Sequence, residues 1–102
     1  MSKGKAGFNH KELHLSEQEF KVLWCLCEYR ERFPNIHCPF KAIANKLFEK
    51  EEYMPNIHKN IIFPLVHKLR EKIEPDLKYP EYIVLVRNKG YKLEVDCKFL
   101  PD

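Results

Sequence analysis

Apolar residues along this chain change their period several times, and each change marks an element. In "KELHLS", Leu13 and Leu15 alternate with polar neighbours, which predicts a short strand over residues 12–15. Ser16 followed by Glu19 has the spacing of a capping box, with Ser16 as N-cap and Glu19 reaching back to its amide. Phe20, Leu23, Trp24 and Cys27 then form one apolar stripe, so a helix runs to about Arg32, where Pro34 and Asn35 stop it. Trp24 on that stripe reads as a core anchor. "NIHCPF" is a short extended connector, and Pro39 suits the first position of a second helix. Ala42, Ile43, Leu47 and Phe48 give that helix its buried face.

From residue 49 to 60 the chain becomes charged and irregular and contains Pro55, which predicts a loop. A third helix follows with Ile62, Val66, Leu69 and Ile73 as its core stripe, ended by Pro75. Pro64 constrains where this helix begins. A proline deep in a helix costs about 3 kcal/mol, whereas in the first turn the missing amide has no helical partner anyway. The helix is therefore expected over about 60–74, with Asn60 as N-cap and Pro64 in its first turn, the alternative being a longer helix from Asn56 kinked at Pro64. Last come "YIVLVR" and "YKLEV" around "NKG", a hairpin in which Gly90 is expected to take the positive φ of the turn.

The resulting order is strand, helix, short strand, helix, helix, hairpin. It is an α+β arrangement of three helices, a small antiparallel sheet and a C-terminal β-hairpin. With 102 residues there is room for one domain, expected over 12–96 between a flexible basic lead-in (1–11) and a short tail (97–102). A composition of 44% hydrophobic and 32% charged residues fits a folded domain and argues against wholesale disorder. No apolar run approaches the roughly 18 residues of a membrane span, so no membrane partner is expected.

A net charge of +3 permits an anionic partner without demanding one. The distribution is more telling. Glu49, Glu51 and Glu52 concentrate negative charge mid-chain, while Lys59, His67, Lys68, Arg70 and Lys72, then Arg87, Lys89 and Lys92, form two basic clusters. The four cysteines lack C-x-x-C spacing, and His37 beside Cys38 has no matching pair, so they read as free thiols packed as small hydrophobes. No Gly-rich phosphate loop, nucleophile–base set, paired acids or metal cluster appears. An enzyme is therefore not expected, and neither is a cofactor.

The segments "LHLSEQEFKVLWCL", "LVHKLREKIEP" and "YPEYIVLVRNKGYKLEV" carry a resemblance. The chain resembles the OmpR/PhoB-type winged helix-turn-helix DNA-binding effector domain of bacterial response regulators over roughly residues 12–95. The wing pattern "V-R-G-x-G-Y" is matched by Val86, Arg87, Gly90 and Tyr91, with Leu93 beyond it and Asn88 in place of the first glycine. Two departures stand out: one strand's worth of sequence lies ahead of the first helix where the family has a four-stranded sheet, and there is no receiver domain. The chain is thus expected to be an excised effector domain or a stand-alone relative.

The resemblance implies a double-stranded-DNA-binding transcriptional regulator in the cytoplasm, associated with the nucleoid. The recognition helix (about 60–74) would enter the major groove, and the wing (about 83–95) the adjacent minor groove or backbone. The residues expected at DNA are Lys59, Asn60, Phe63, Pro64, His67, Lys68 and Arg70 on the helix, with Arg87, Asn88, Lys89 and Tyr91 on the wing. It also implies contact with RNA polymerase through the 49–59 loop; a homodimer is the expectation from the apolar Phe63/Pro64 patch itself. Phe63 and Pro64 stand where the family carries polar and small aliphatic residues; they offer only apolar contacts, such as to a thymine methyl. The competing expectation is a protein-interaction or dimerisation module built on that Phe63/Pro64 surface.

Overall fold

The computed structural model describes residues 5–8, 11–49 and 52–94, with side chains from residue 14 onward. Strands β1 (Lys5–Phe8) and β2 (Lys11–His14) pair antiparallel, Lys5 opposite His14 and Phe8 opposite Lys11. The expected single strand over 12–15 is thus half of a hairpin, and the segment 1–11 expected to be a loose lead-in contributes a strand. "KAGF" has no two-residue alternation, which is why period alone passed over it.

Helix α1 (Glu17–Arg32) begins and ends where the sequence predicts. The Glu19 amide donates to Ser16 Oγ at 3.1 Å, and the Ser16 amide donates to Glu19 Oε1 at 2.9 Å, so both halves of the capping box form. Glu19 is 4% exposed, and Lys72 reaches across from the third helix to pair with it. Burial pushes the Glu19 carboxyl up, but Lys72 and the Ser16 amide together outweigh it and hold the group below its usual range. Lys72 Nζ also donates to His14 O, so one ammonium ties β2, α1 and the third helix together.

Strand β3 (Cys38–Pro39) leads into α2 (Phe40–Leu47), which starts one residue later than expected, with Pro39 as N-cap and not at the first helical position. Helix α3 spans Pro55–Ile73, which overturns two expectations. Residues 55–60 are helical and not loop, and Pro64 lies in the middle of the helix and not in its first turn. Pro55 takes the first helical position, where its missing amide costs nothing. Met54 supplies no side-chain cap, but its own amide donates to His58 Nδ1 at 2.9 Å, the reciprocal bond by which a first-turn side chain serves the N-cap amide. His58 is buried, with its ring nearly parallel to those of Phe48 and Tyr53.

Pro64 removes the donor that Asn60 O would have met, but both residues are exposed, so water can serve that carbonyl. On the opposite face Ile62, Val66 and Leu69 are fully buried and Ile73 nearly so. Each such burial contributes roughly 1.5–3 kcal/mol, enough together to offset the roughly 3 kcal/mol cost of one interior proline. The four-residue core stripe is as expected; burial of His58 extends it by one turn.

Strands β4 (Ile83–Val86) and β5 (Gly90–Leu93) form the hairpin, and β3 adds to the other edge of β5, giving the order β3-β5-β4. In the turn the residue with positive φ is Asn88, at 63°, and not Gly90. Gly90 is required for a different reason. It pairs with Pro39, and a Cβ built on it would lie 1.9 Å from the Cys38 carbonyl oxygen. The core formed by these elements includes Leu23 and Leu26 of α1, Ile43 of α2, Leu69 of α3 and Ile83 of β4. Cys25 and Cys38 are free and buried, as expected, whereas Cys27 is disulfide-bonded, which corrects the reading of four free thiols.

Gly90→Ala should break the β3–β5 contact and cost about 3 kcal/mol or more, as an overpacked site with backbone on both sides does. A denaturant melt with less than about 1 kcal/mol of change would show that β3 can move aside.

Candidate nucleic-acid interface

At 100° per residue, burial of His58, Ile62, Val66, Leu69 and Ile73 turns the opposite face of α3 outward. That face carries Asn56, Ile57, Asn60, Ile61, Pro64, His67 and Lys68, all exposed. Two stripes run along it. Asn56, Asn60 and His67 form a polar one, and Ile57, Ile61 and Pro64 form an apolar one ending at Lys68. The Asn60 side-chain amide donates to Asn56 O at 2.8 Å, which leaves its own oxygen pointing out of that bond. His67 Nε2 is 3.7 Å from Glu71, near enough to pair once the imidazole is protonated. Asn56 and Ile57 were missed from the sequence because the helix was started too late; Pro55 at a first helical position was the available signal.

Phe63 is not a free apolar tip. Its ring stands edge-on to Phe40 at 5.6 Å and to Tyr91 at 6.3 Å, and Phe40 is in turn edge-on to Tyr91 at 5.8 Å. The three rings join the middle of α3, the start of α2 and the wing. Lys59 extends over the same cluster, its ammonium 4.8 Å from the centre of the Phe40 ring. Tyr91 is buried, and burial raises its hydroxyl pKa more than the neighbouring Arg70 charge lowers it.

Arg70 is also engaged. Its Nε and Nη2 donate to Ile83 O at 3.2 and 2.7 Å, and its guanidinium lies over the Tyr91 ring. One turn later Glu74 completes the grip. Its carboxylate accepts from the amides of Glu81, Tyr82 and Ile83, at 2.8 to 3.2 Å. Ile83 thus gives its carbonyl to Arg70 and its amide to Glu74, two residues on one face of α3. Glu74 was missed by the sequence reading, since nothing in its neighbourhood marks an acid at a helix C-cap as a ligand for a distant strand.

At the other end of β4, Arg87, Asn88 and Lys89 are exposed on the turn, which the Lys89 amide closes onto Val86 O at 2.9 Å. Lys89 O accepts from the Phe40 amide, tying the wing to the start of α2. The residues expected at DNA thus fall into two groups. Asn60, Phe63, Pro64, His67, Lys68, Arg87, Asn88 and Lys89 are exposed, Phe63 with part of its ring packed on Phe40 and Tyr91, whereas Lys59, Arg70 and Tyr91 are committed wholly or partly to contacts within the domain.

Two helices with a hairpin whose base is clamped to the second helix define a winged helix-turn-helix domain. The family model described as "Transcriptional regulatory protein, C terminal" matches residues 10–93, and the chain belongs to that family of OmpR/PhoB-type C-terminal DNA-binding domains. The chain is 38% identical over 77 residues, 76% of its length, to the transcriptional regulatory protein YvrH of Bacillus subtilis, covering 30% of that protein. It is 31% identical over 90 residues, 88% of its length, to the alkaline phosphatase synthesis transcriptional regulatory protein PhoP of the same organism, covering 35% of it. With the regulatory protein VanR of Enterococcus faecium it shares 31% identity over 87 residues, 84% of this chain and 35% of that one. The chain therefore spans about a third of the length of these relatives. Among solved structures, the DNA-binding domain of Escherichia coli CadC superposes with a TM-score of 0.63 at 17% identity, over 96% of this chain and 85% of that one. That likeness carries the fold alone.

Glu74→Ala should leave three amides unpaired and loosen the wing, costing about 2–3 kcal/mol. Glu74→Gln, which keeps an acceptor, should cost less. Equal stability of wild type and Glu74→Ala in thermal melts would mean that the clamp does not hold β4.

Proposed function

We propose that the domain binds double-stranded DNA as a transcriptional regulator, with the outward face of α3 in the major groove and the turn of the β4–β5 hairpin at the adjacent minor groove or backbone. The carrying observation is the pair of exposed surfaces, α3 and wing turn, fixed to one another through Ile83 and Phe40. Lys68, Arg87 and Lys89 are exposed and supply phosphate contacts, which set affinity and its salt dependence. Asn60 and His67 supply hydrogen bonds to base edges, and Ile57, Ile61 and Pro64 supply apolar contacts, for which the thymine methyl is the matching feature of the major groove. Lys59, Arg70 and Tyr91 act behind this surface by holding it in shape, and Phe63, exposed but packed on Phe40 and Tyr91, stands at its edge. The domain has no catalytic part in this reading, and its place is the cytoplasm, on the nucleoid.

We infer that an RNA polymerase contact, if made, lies ahead of Pro55, where the described residues Glu49, Glu52 and Met54 are exposed. The second reading, a protein-contact or dimerisation surface built on Phe63 and Pro64, keeps its support: both are exposed, although part of the Phe63 ring packs on Phe40 and Tyr91.

Selection from a random duplex pool should enrich a discrete site. The triple variant Lys68→Ala, Arg87→Ala, Lys89→Ala should lower the slope of log affinity against log salt by about 2 to 3. An unchanged slope rules out phosphate contacts by these residues. Replacing thymine by deoxyuracil in the selected site should weaken binding about threefold to fivefold per contacted methyl. Equal affinity for the uracil-containing duplex would remove the apolar stripe from base readout.

A further inference from the structure

Two buried side chains take no part in the DNA-facing surface, the thiols of Cys25 on α1 and Cys38 on β3. Their sulfurs are 3.5 Å apart and both are free. A covalent bond would need them about 1.5 Å closer, a shift within the reach of one rotamer adjustment and a short strand. Both are closed to bulk solvent, at 5% and 2% exposure. Cys25, however, lines a cleft of about 450 Å³ together with Glu28, Tyr29, Ala42, Asn45 and Lys46. Lys46 and Glu28 face each other there at 2.9 Å. A small oxidant entering this cleft meets Cys25, with Cys38 directly behind it.

We propose that Cys25 and Cys38 form a peroxide-responsive dithiol, a modification site in which Cys25 is oxidised first and Cys38 resolves it. The Cys25 thiolate attacks one oxygen of hydrogen peroxide; the O–O bond breaks, a sulfenic acid forms on Cys25 and hydroxide leaves. The Cys38 sulfur then attacks the sulfenic sulfur, the S–O bond breaks, and the departing hydroxide takes the Cys38 proton as water. The two thiols are oxidised by two electrons to one disulfide, and the peroxide is reduced to two waters. The order of attack follows from the surroundings. Cys25, and not Cys38, lines the cleft, so it meets the oxidant first; its contact with Cys38 and the charge of Lys46 favour its thiolate, against burial and Glu28. The same contact, with burial, pushes Cys38 up.

The disulfide would join α1 to the strand that carries the wing sheet. β3 has only two residues, and the carbonyl of Cys38 is packed against Gly90 with no room for a methyl group. Cys38 is paired with Tyr91, whose ring touches Phe63 of α3. Drawing β3 toward α1 therefore shifts the contacts that set wing and α3 relative to each other. The oxidation chemistry stands by itself; its effect on DNA affinity rests on the proposed DNA binding.

The test uses the full chain, treated with hydrogen peroxide, alkylated and digested. Tandem mass spectrometry must cleave between Cys25 and Cys27, because Cys27 is already disulfide-bonded. A Cys25–Cys38 crosslink removed by dithiothreitol is expected, with a loss of at least about fivefold in affinity for the selected duplex. Cys25→Ser and Cys38→Ser should each abolish that response while keeping the affinity of the reduced chain. Cys25→Ala and Cys38→Ala serve where serine disturbs the core. Lys46→Met should slow crosslinking without changing its product. If both thiols remain alkylatable in the unfolded chain after peroxide, the dithiol proposal is overturned; a crosslink that forms equally fast with Lys46→Met removes Lys46 from the activation of Cys25. A crosslink that leaves affinity unchanged overturns its coupling to the wing. A reduced chain that binds no duplex counts instead against the DNA-binding reading.

Discussion

The geometry of the DNA-facing surface depends on how one residue, Ile83, is held. Its carbonyl oxygen is taken by Arg70 and its amide by Glu74, a cation and an anion one helical turn apart on α3. Hydrogen bonds to charged groups contribute roughly 1.5–3 kcal/mol, more than neutral ones, and two of them on one peptide segment fix both position and direction. The clamp is also partly buried, and with the Ile83 side chain in the core β4 cannot rotate about it. The wing is thus an extension of the reading helix, and Arg70, by charge an obvious phosphate ligand, is committed to holding it there.

A second fastening lies at the far edge of the sheet. The Phe40 amide donates to Lys89 O, its ring meets Phe63 and Tyr91, and Lys59 covers it. Gly90 allows β3 to lie close against β5 beside this cluster. The hairpin is therefore held at both ends, at its start by charged hydrogen bonds from α3 and at its turn by contact with the start of α2. What is left exposed is a narrow set of side chains with few internal obligations, Asn60, Pro64, His67 and Lys68 on α3 and Arg87, Asn88 and Lys89 on the turn.

The outer face of α3 is unusual for a surface that meets a polyanion, because half of it is apolar. An interior proline is tolerated there because its cost falls on the solvent side, where a freed carbonyl can be hydrated, while the inner side keeps an unbroken row of buried residues. Pro64 and its neighbours Ile57 and Ile61 present shape and methyl groups in place of donors, so under the proposed DNA binding they would add apolar contacts beside the base-edge hydrogen bonds of Asn60 and His67.

The sequence by itself determined the elements whose evidence is local. The capping box at Ser16 and Glu19, the length of α1, the stripe Ile62, Val66, Leu69, Ile73 and the hairpin at "NKG" all follow from spacings within a few residues, and together with the wing pattern they identified the winged helix. The start of α3 was misplaced because proline has two local meanings, and only tertiary burial of His58 between Phe48 and Tyr53 decides that Pro55 opens the helix and Pro64 is carried inside it. Gly90 looked like a residue chosen for positive φ, but the turn uses Asn88, and Gly90 is fixed by the backbone of β3, fifty positions earlier in the chain. Charge placed Arg70 among the DNA contacts, yet its partner is a carbonyl on β4. Sequence separation hides such contacts. A side chain's type states what it can bind, and only the folded chain settles which partner reaches it first.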